Sequence, residues 1–219
     1  MADYDAIVIG TGQSGPALTR RLVAAGWKVA IIERKLFGGT CVNTGCTPTK
    51  TLVASAYAAH LARSAAEYGV TIGGPIAVDM RKVKARKDGI AGASRKGVER
   101  SLKTLKGCTV YEGHARFSGP NEVKVGNEML RADKIFINVG GRAVVPPIPG
   151  LDQVPYLTNS SMMDVDFLPR HLVVLGGSYI GLEFAQMYRR FGTEVTVIEF
   201  ATHLIPREDA DVSQAVAAS

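Results

Sequence analysis

The chain has 219 residues, of which 46% are apolar, and a formal net charge of +6. This length fits one large domain or one domain with part of another, and the apolar content excludes a wholly disordered chain. Much of the positive charge lies between residues 81 and 106, where no aromatic side chain interleaves with the basic ones. We therefore predict the solvated face of a surface helix there, and no nucleic-acid partner.

The chain starts with MADYDAIVIG, which has no basic n-region, apolar h-region or cleavage site of an export signal. No apolar run approaches the length of a membrane span. We expect a cytoplasmic protein without a membrane partner. Three cysteines in such a chain suggest redox chemistry or metal binding rather than structural disulfides.

A dinucleotide-binding motif is predicted at the start of the chain. The apolar run AIVI is typical of a buried parallel strand, and Gly10, Gly12 and Gly15 follow it in GxGxxG spacing. Gly10 would form the tight turn, Gly12 would let the backbone approach a pyrophosphate, and Gly15 would let a helix pack on the strand. A second apolar strand ends at Glu33, which would accept hydrogen bonds from an adenosine ribose.

The same motif recurs further along the chain. A shift of 166 positions aligns residues 172–199 with residues 6–33 without a gap. The second copy keeps two of the glycines and the terminal acid, and a small serine replaces the middle glycine: Gly176, Gly181, Glu199 and Ser178. Two bound dinucleotides are implied, and a flavin with a nicotinamide is the usual couple.

Between the copies lies GGTCVNTGCTPTK, which contains Cys41 and Cys46. The CxxxxC spacing suits neither the paired CxxC of zinc sites nor the CxxC of thioredoxin-like proteins, and no histidine stands at ligand spacing, so we predict no metal site. Residues five apart on an ideal helix have Cα atoms about 8.6 Å apart, whereas a disulfide tolerates only about 7 Å. A bond would therefore require an irregular first turn, which Gly45 would permit. The spacing alone leaves a redox pair and two buried thiols equally open.

The segment GGTCVNTGCTPTK, after a flavin-type GxGxxG, resembles the GGTCxNxGCxPxK signature of the class I pyridine nucleotide–disulfide oxidoreductases. This family includes glutathione reductase, dihydrolipoamide dehydrogenase and mercuric reductase. The resemblance covers nearly the whole chain: residues 134–150 resemble the family's strand that returns to the flavin, and residues 176–183 resemble its NAD-domain fingerprint. Thr47 and Thr49 most resemble the mercuric-reductase-like branch.

The resemblance assigns roles to individual residues. Cys46 corresponds to the flavin-proximal sulfur, and Cys41 corresponds to the interchange sulfur that meets the substrate. Lys50 and Glu183 correspond to an ion pair near the flavin N5. Tyr179 corresponds to a ring that covers the nicotinamide side of the flavin.

The implied cofactors are FAD and NAD(H), with NADP(H) less favoured. The residues expected to bind them come from both copies of the motif and from the segments between: Gly10, Gly12, Gly15, Glu33, Gly39, Thr40, Lys50, Gly140, Gly176, Ser178, Tyr179, Gly181 and Glu199. Glu199 favours NADH because its carboxylate would accept from the ribose hydroxyls and would repel the 2′-phosphate of NADPH.

We predict an α/β fold with two Rossmann-like units: an FAD domain over 1–150, and the start of an NAD(P) domain over 151–219. Turn signals near residues 118–128 predict a small antiparallel segment in the first domain. In the family the pattern continues with another flavin contact and an interface domain, whose His–Glu dyad reaches the disulfide of the partner subunit. We therefore expect a fragment of a homodimeric enzyme that binds FAD weakly and is inactive alone.

The resemblance implies hydride transfer from NAD(P)H through FAD to a Cys41–Cys46 disulfide, and then to a small disulfide or an Hg(II)-type acceptor. Two alternatives remain: an electron-transfer flavoprotein with idle cysteines, and a non-catalytic nucleotide-binding fragment. A thioredoxin-reductase-type enzyme would place its pair in the second nucleotide domain, which contains no cysteine.

Overall fold

The computed structural model describes residues 1–218. The strands are β1 (Ala2–Asp3), β2 (Ala6–Ile9), β3 (Val29–Glu33), β4 (Cys108–Glu112), β5 (Ala115–Gly119), β6 (Glu122–Val125), β7 (Glu128–Arg131), β8 (Lys134–Ile137), β9 (His171–Leu175) and β10 (Glu194–Ile198). The helices are α1 (Ser14–Ala24), α2 (Gly39–Asn43), α3 (Cys46–Arg63), α4 (Met80–Lys103), α5 (Tyr179–Phe191) and α6 (Ala210–Ala218). Short 3₁₀ helices lie at Ala65–Tyr68, Leu151–Gln153 and Ser161–Asp164.

The chain packs as two compact units. The first unit comprises Met1–Pro48 and Asp88–Ser160, and the second comprises Thr49–Lys87 with the described residues from Ser161 onward. The functional boundary at residue 150 stays a prediction, because packing alone does not define which residues bind each nucleotide.

A parallel four-stranded sheet in the order β4-β3-β2-β8 lies in the first unit. Up to Glu33, strands β2 and β3 consist of Ala, Val and Ile, and residues 6–8 and 29–32 are buried. A continuous apolar run of this kind is typical of parallel strands that are covered on both faces. Helix α1 packs Leu18 and Leu22 against this apolar core. The carboxyl ends of β2 and β8 lie side by side, with Ile9 paired to Ile137.

A second sheet in the first unit has the order β1-β7-β6-β5. Strands β5, β6 and β7 pair antiparallel, with a turn at Gly126 between β6 and β7. Val123, Val125 and Leu130 form one buried cluster with residues of β2 and β3. The antiparallel segment predicted near residues 118–128 is therefore confirmed.

The second unit contains the β9-α5-β10 repeat of the β2-α1-β3 element. Strands β9 and β10 are parallel, and Leu172 pairs with Val195 in the same register in which Ala6 pairs with Val29. Leu172 lies 166 positions after Ala6, and Val195 lies 166 positions after Val29. The strand register therefore repeats with the same shift as the sequence. Helix α5 buries its Phe184 and other apolar residues in a cluster that includes residues of α3. The α/β class with two Rossmann-like units is confirmed.

The predicted basic helix corresponds to α4, which is 24 residues long. Arg81 and Lys82 are exposed, as expected for a solvated face. Lys87 departs from that expectation: its side chain is buried, and its Nζ donates a hydrogen bond to the carbonyl oxygen of Met163 at 2.7 Å. Within residues 1–218, no helix combines the length and the apolar composition needed to cross a membrane.

Candidate functional site

The first glycine-rich turn connects β2 to α1. Gly10 has φ of +103°, which favours glycine, and a Cβ there would overlap the carbonyl oxygen of Asn138. A Cβ on Gly15 would overlap the carbonyl oxygen of Gly10, so the start of α1 packs directly on the turn. These contacts agree with the tight turn and the close helix packing expected from the spacing. A Cβ on Gly12 would lie 3.3 Å from the Asn138 side-chain nitrogen.

Asn138, which is not among the predicted site residues, ties β8 to this turn. Its backbone N–H donates to the carbonyl oxygen of Ile9 at 2.8 Å, and its side-chain oxygen accepts from the Ser14 hydroxyl at 2.9 Å. In the sequence, Asn138 follows an apolar strand and comes two residues before a Gly-Gly pair, in INVGG. This short segment is the sequence feature that could have indicated a role at the turn. Gly140, which was predicted to bind the cofactor, follows two residues later with φ of +69°.

Glu33 is held at the same edge of the sheet by backbone and hydroxyl donors. The Thr11 N–H and hydroxyl both donate to Glu33 Oε2, at 3.1 and 2.6 Å, and the Lys35 N–H donates to Oε1 at 2.9 Å. The carboxylate is thereby fixed beside the glycine turn, where the ribose of a dinucleotide would be recognised.

The second unit repeats these bonds at the same sequence shift. The Gly177 N–H donates to Glu199 Oε2 at 2.6 Å, and the Ala201 N–H donates to Oε1 at 2.8 Å. The Ala201 and Gly177 N–H groups hold the pKa of Glu199 below its ordinary value, so the side chain is ionised at neutral pH. Gly176 has φ of +105°, and a Cβ on Gly181 would overlap the Gly176 carbonyl oxygen.

Both turns suit an anionic ligand at the start of the following helix. Neither α1 nor α5, both of which lie wholly within the described residues, carries an acid in its first turn. The positive end of each helix is therefore not neutralised from within, and it can accept a pyrophosphate. Ser178 is the N-cap residue of α5, with extended backbone. The residues present fit two dinucleotides.

Cys41 and Cys46 lie on either side of a break between two helices. Helix α2 ends at Asn43, and α3 begins at Cys46, so the irregular turn expected at Gly45 is present. A Cβ on Gly45 would lie 3.0 Å from the Thr40 carbonyl oxygen and 3.2 Å from the Cys41 Cα, so a side chain there would crowd the turn. Within the described residues all three cysteines are separate thiols, with Cys41 half-buried and Cys46 exposed. The disulfide between the pair stays a prediction.

The two sulfur groups of the pair interact. Burial raises the pKa of the Cys41 thiol, and a hydrogen bond with the Cys46 side chain raises it further. The backbone N–H groups of Cys46 and Thr47, at the start of α3, face the Cys41 sulfur and act in the opposite direction. Cys108 differs: burial in β4 raises the pKa of its thiol to about 11, which suits a structural role.

Helix α2 lies against the first glycine turn. A Cβ on Gly39 would come within 2.7 Å of the Gly12 Cα, so the helix that carries Cys41 starts in direct contact with this turn. The Thr40 hydroxyl oxygen lies 4.0 Å from where a Gly140 Cβ would be. The first unit thus brings together Gly10, Gly12, Gly15, Glu33, Gly39, Thr40, Cys41, Cys46 and Gly140.

In the second unit Lys50 donates to Glu183 Oε1 in an ion pair. Lys50 lies one turn after the start of α3, and Glu183 lies on α5. Tyr179, one turn before Glu183 on α5, is 69% exposed, so its ring is free to contact a ligand. The roles of these three residues beside a flavin stay predictions.

The site thus consists of two copies of a glycine turn with a fixed acid, the first of which adjoins a pair of cysteines. This is the arrangement expected of a dinucleotide-binding protein with a thiol pair. The chain matches the family model described as pyridine nucleotide-disulphide oxidoreductase over residues 4–219. The chain therefore belongs to this family, as the sequence resemblance predicted.

Named relatives fall in the same family. The chain is 38% identical to the "probable pyridine nucleotide-disulfide oxidoreductase RclA" of Escherichia coli, over 99% of this chain and 47% of the relative. It is 35% identical to a dihydrolipoyl dehydrogenase of Acholeplasma laidlawii, over 98% and 65%, and 35% identical to a mercuric reductase of Bacillus cereus, over 98% and 34%. The chain thus spans about half the length of the curated relatives it matches. Since these relatives carry different names at similar identity, the mercuric-reductase-like branch stays a prediction.

A solved structure shares the fold. The Cu(II) complex of the HOCl-induced flavoprotein disulfide reductase RclA from Escherichia coli has 36% sequence identity to the chain and a TM-score of 0.86. The match covers all of this chain and 47% of that one.

Proposed function

We propose that this chain forms the flavin- and nicotinamide-binding part of a flavoprotein disulfide oxidoreductase. The first unit binds FAD and carries the redox pair Cys41 and Cys46. The second unit binds NAD(H). Electrons pass from the nicotinamide through the flavin to the cysteine pair and then to a small disulfide or an Hg(II)-type acceptor, in a homodimeric enzyme.

The observation that carries this proposal is the contact between the cysteine segment and the first glycine turn. Gly39, at the start of α2, rests on Gly12, and Cys41 follows within the same helix. A dinucleotide that binds at the turn would therefore lie next to a dithiol. An electron-transfer flavoprotein with idle cysteines would have no need of this arrangement.

The chain's own residues have defined tasks in this proposal. Bound FAD would supply a two-electron carrier that accepts hydride from reduced nicotinamide. Glu33 orients the adenosine ribose, and the start of α1 holds the pyrophosphate. Two electrons and two protons break the Cys41–Cys46 sulfur–sulfur bond and yield two thiols, and transfer of the electrons to the acceptor forms the bond again.

NADH is the proposed nicotinamide donor. The lowered pKa of Glu199 supports an ionised carboxylate that accepts from both ribose hydroxyls and repels a 2′-phosphate. The three residues that follow, Phe200, Ala201 and Thr202, bring no cation to that end of β10. Arg207 comes later in the chain, beyond this stretch.

The chain spans only about half the length of its relatives, which supports a further proposal about its activity. We infer that the 219-residue chain does not turn over a disulfide by itself, although it undergoes reduction when it is loaded with FAD. Cofactor addition alone would therefore restore no turnover.

An anaerobic dithionite titration of the chain in excess FAD tests the redox pair. We expect the FAD-bound protein to take up about four electrons per bound flavin, two for the flavin and two for the disulfide. Cys46→Ser should reduce the uptake to about two. An uptake of about two electrons by the oxidised wild-type protein would contradict the proposal and favour an electron-transfer flavoprotein without disulfide chemistry.

A further inference from the structure

Thr11, at the first variable position of GxGxxG, links Glu33 to the start of α2, the helix that carries Cys41. The Thr11 hydroxyl donates to Glu33 Oε2 at 2.6 Å, and its oxygen accepts a hydrogen bond from the Gly38 N–H at 3.1 Å. Thr11 is fully buried. A hydroxyl has one proton to donate, so its donation to Glu33 fixes the oxygen as the acceptor for Gly38.

The second unit shows that this hydroxyl is not needed to hold the acid. Gly177 occupies the position equivalent to Thr11, and its N–H alone donates to Glu199 Oε2 at 2.6 Å. A Cβ on Gly177 would lie 2.5 Å from the Leu204 side chain, so an apolar group fills the space that the Thr11 side chain takes in the first unit. What Thr11 adds in the first unit is therefore the bond to Gly38.

Gly38 and Gly39 place the start of α2 on the glycine turn. Gly38 is the N-cap residue of α2 with φ of +93°, and a Cβ there would come within 2.6 Å of the Val42 Cβ. Gly39 rests on the Gly12 Cα. Neighbouring residues of the turn thus contact neighbouring residues of α2, and Cys41 is the third residue of that helix.

We propose that Thr11 is a positioning residue that couples occupation of the adenosine site at Glu33 to the position of Cys41. This rests on the proposed function of Glu33 in ribose binding. Ribose hydroxyls that donate to Glu33 fix the carboxylate, and the carboxylate fixes the Thr11 hydroxyl through the 2.6 Å bond. The Gly38 N–H then holds the start of α2 more firmly, and local opening around half-buried Cys41 becomes rarer.

The coupling can be measured with ADP, which carries the adenosine and pyrophosphate without a flavin that could shield the cysteines. The rate of iodoacetamide alkylation at Cys41 is followed by peptide mass mapping with and without saturating ADP, and ADP binding is measured separately by calorimetry. We expect ADP to slow alkylation of Cys41 about fivefold, the factor that corresponds to one hydrogen bond of ordinary net strength. Cys108 in the same sample is the internal control, and its rate should not change.

Substitutions of Thr11 with and without a hydroxyl separate coupling from folding. Thr11→Ser keeps the hydroxyl and should retain the ADP effect. Thr11→Val removes the hydroxyl. This variant should still bind ADP, but ADP should no longer slow alkylation of its Cys41. Thr11→Ala also removes the hydroxyl and serves as a second variant if valine crowds the turn.

Three outcomes would decide against the inference. If wild-type protein binds ADP without a change in Cys41 alkylation, the coupling does not exist. If Thr11→Val or Thr11→Ala retains the full ADP effect, Thr11 does not carry it. Either result leaves the proposed function intact, whereas a wild-type chain that binds neither ADP nor FAD would overturn both proposals.

Discussion

Thr19 provides a prediction about stability in which a single polar atom is changed. This residue lies on α1 and is fully buried, and among the described residues its hydroxyl is a buried polar atom without a hydrogen-bond partner. The equivalent position of the second unit, 166 residues later, is the apolar Ala185. Thr19→Val replaces the hydroxyl by a methyl group of similar size, and both residues are β-branched, so the helix propensity changes little.

The expected magnitude follows from the cost of a buried unsatisfied hydroxyl, which is about 1–3 kcal/mol. A methyl group is slightly larger than a hydroxyl, and tighter packing takes back part of the gain. We therefore expect Thr19→Val to raise the free energy of unfolding of the first unit by about 1 kcal/mol. With a urea dependence of about 2 kcal/mol per molar, the midpoint should rise by about 0.5 M.

The fluorescence of Trp27, the single tryptophan, reports urea unfolding of the first unit because its ring packs against the same core as α1. Thr11→Val is the matched control, since Thr11 is equally buried but its hydroxyl bonds to Glu33 and Gly38. It should lower the free energy of unfolding by about 1–3 kcal/mol. If both valine variants shifted the midpoint in the same direction, the hydrogen-bond argument would be refuted.

Three further predictions concern the nucleotide acids and the thiol pair. Glu33→Gln should weaken FAD binding by roughly tenfold in a flavin fluorescence titration, because the new amide nitrogen would face backbone N–H donors. The control Glu128→Gln, at an exposed position, should bind FAD as the wild type does. Glu199→Ala should reduce the preference for NADH over NADPH in direct binding measurements. In the wild type this preference should be lost only as the pH falls through the lowered pKa of the Glu199 carboxyl. A wild-type preference for NADPH would exclude this role of Glu199. Cys46→Ala should lower the pKa of Cys41, measured from the pH dependence of alkylation, because the side-chain hydrogen bond that raises it is removed; an unchanged pH profile would contradict this.

The sequence was sufficient for features that depend on short segments. Apolar runs and glycine spacing predicted β2, α1 and β3, and the 166-residue shift extended the prediction to the second unit. That shift proved to hold for the strand register and for the bonds to Glu33 and Glu199. The length limit of a disulfide made an irregular turn near Gly45 a condition for a Cys41–Cys46 bond, and the chain does break between α2 and α3 there.

Features that depend on distant residues could not be predicted in this way. Thr11 bonds to Gly38, 27 positions away, and Asn138 packs on a turn that lies 128 positions before it. The burial of Lys87 depends on the carbonyl oxygen of Met163, 76 positions later. None of these partners is marked by local propensity or spacing, because each pairing arises only when separate elements pack together.

The central claim is that Cys46 is the sulfur next to the flavin and that it forms a redox pair with Cys41. The most direct measurement is the absorbance spectrum of the FAD-loaded chain during stepwise anaerobic reduction. We expect a long-wavelength band from thiolate-to-flavin charge transfer at the two-electron stage in the wild type. Cys46→Ser should abolish the band, and Cys41→Ser should show it before any reductant is added, because its Cys46 cannot be held in the disulfide. A band that persists in Cys46→Ser, or its absence from the wild type at every stage, would contradict the claim.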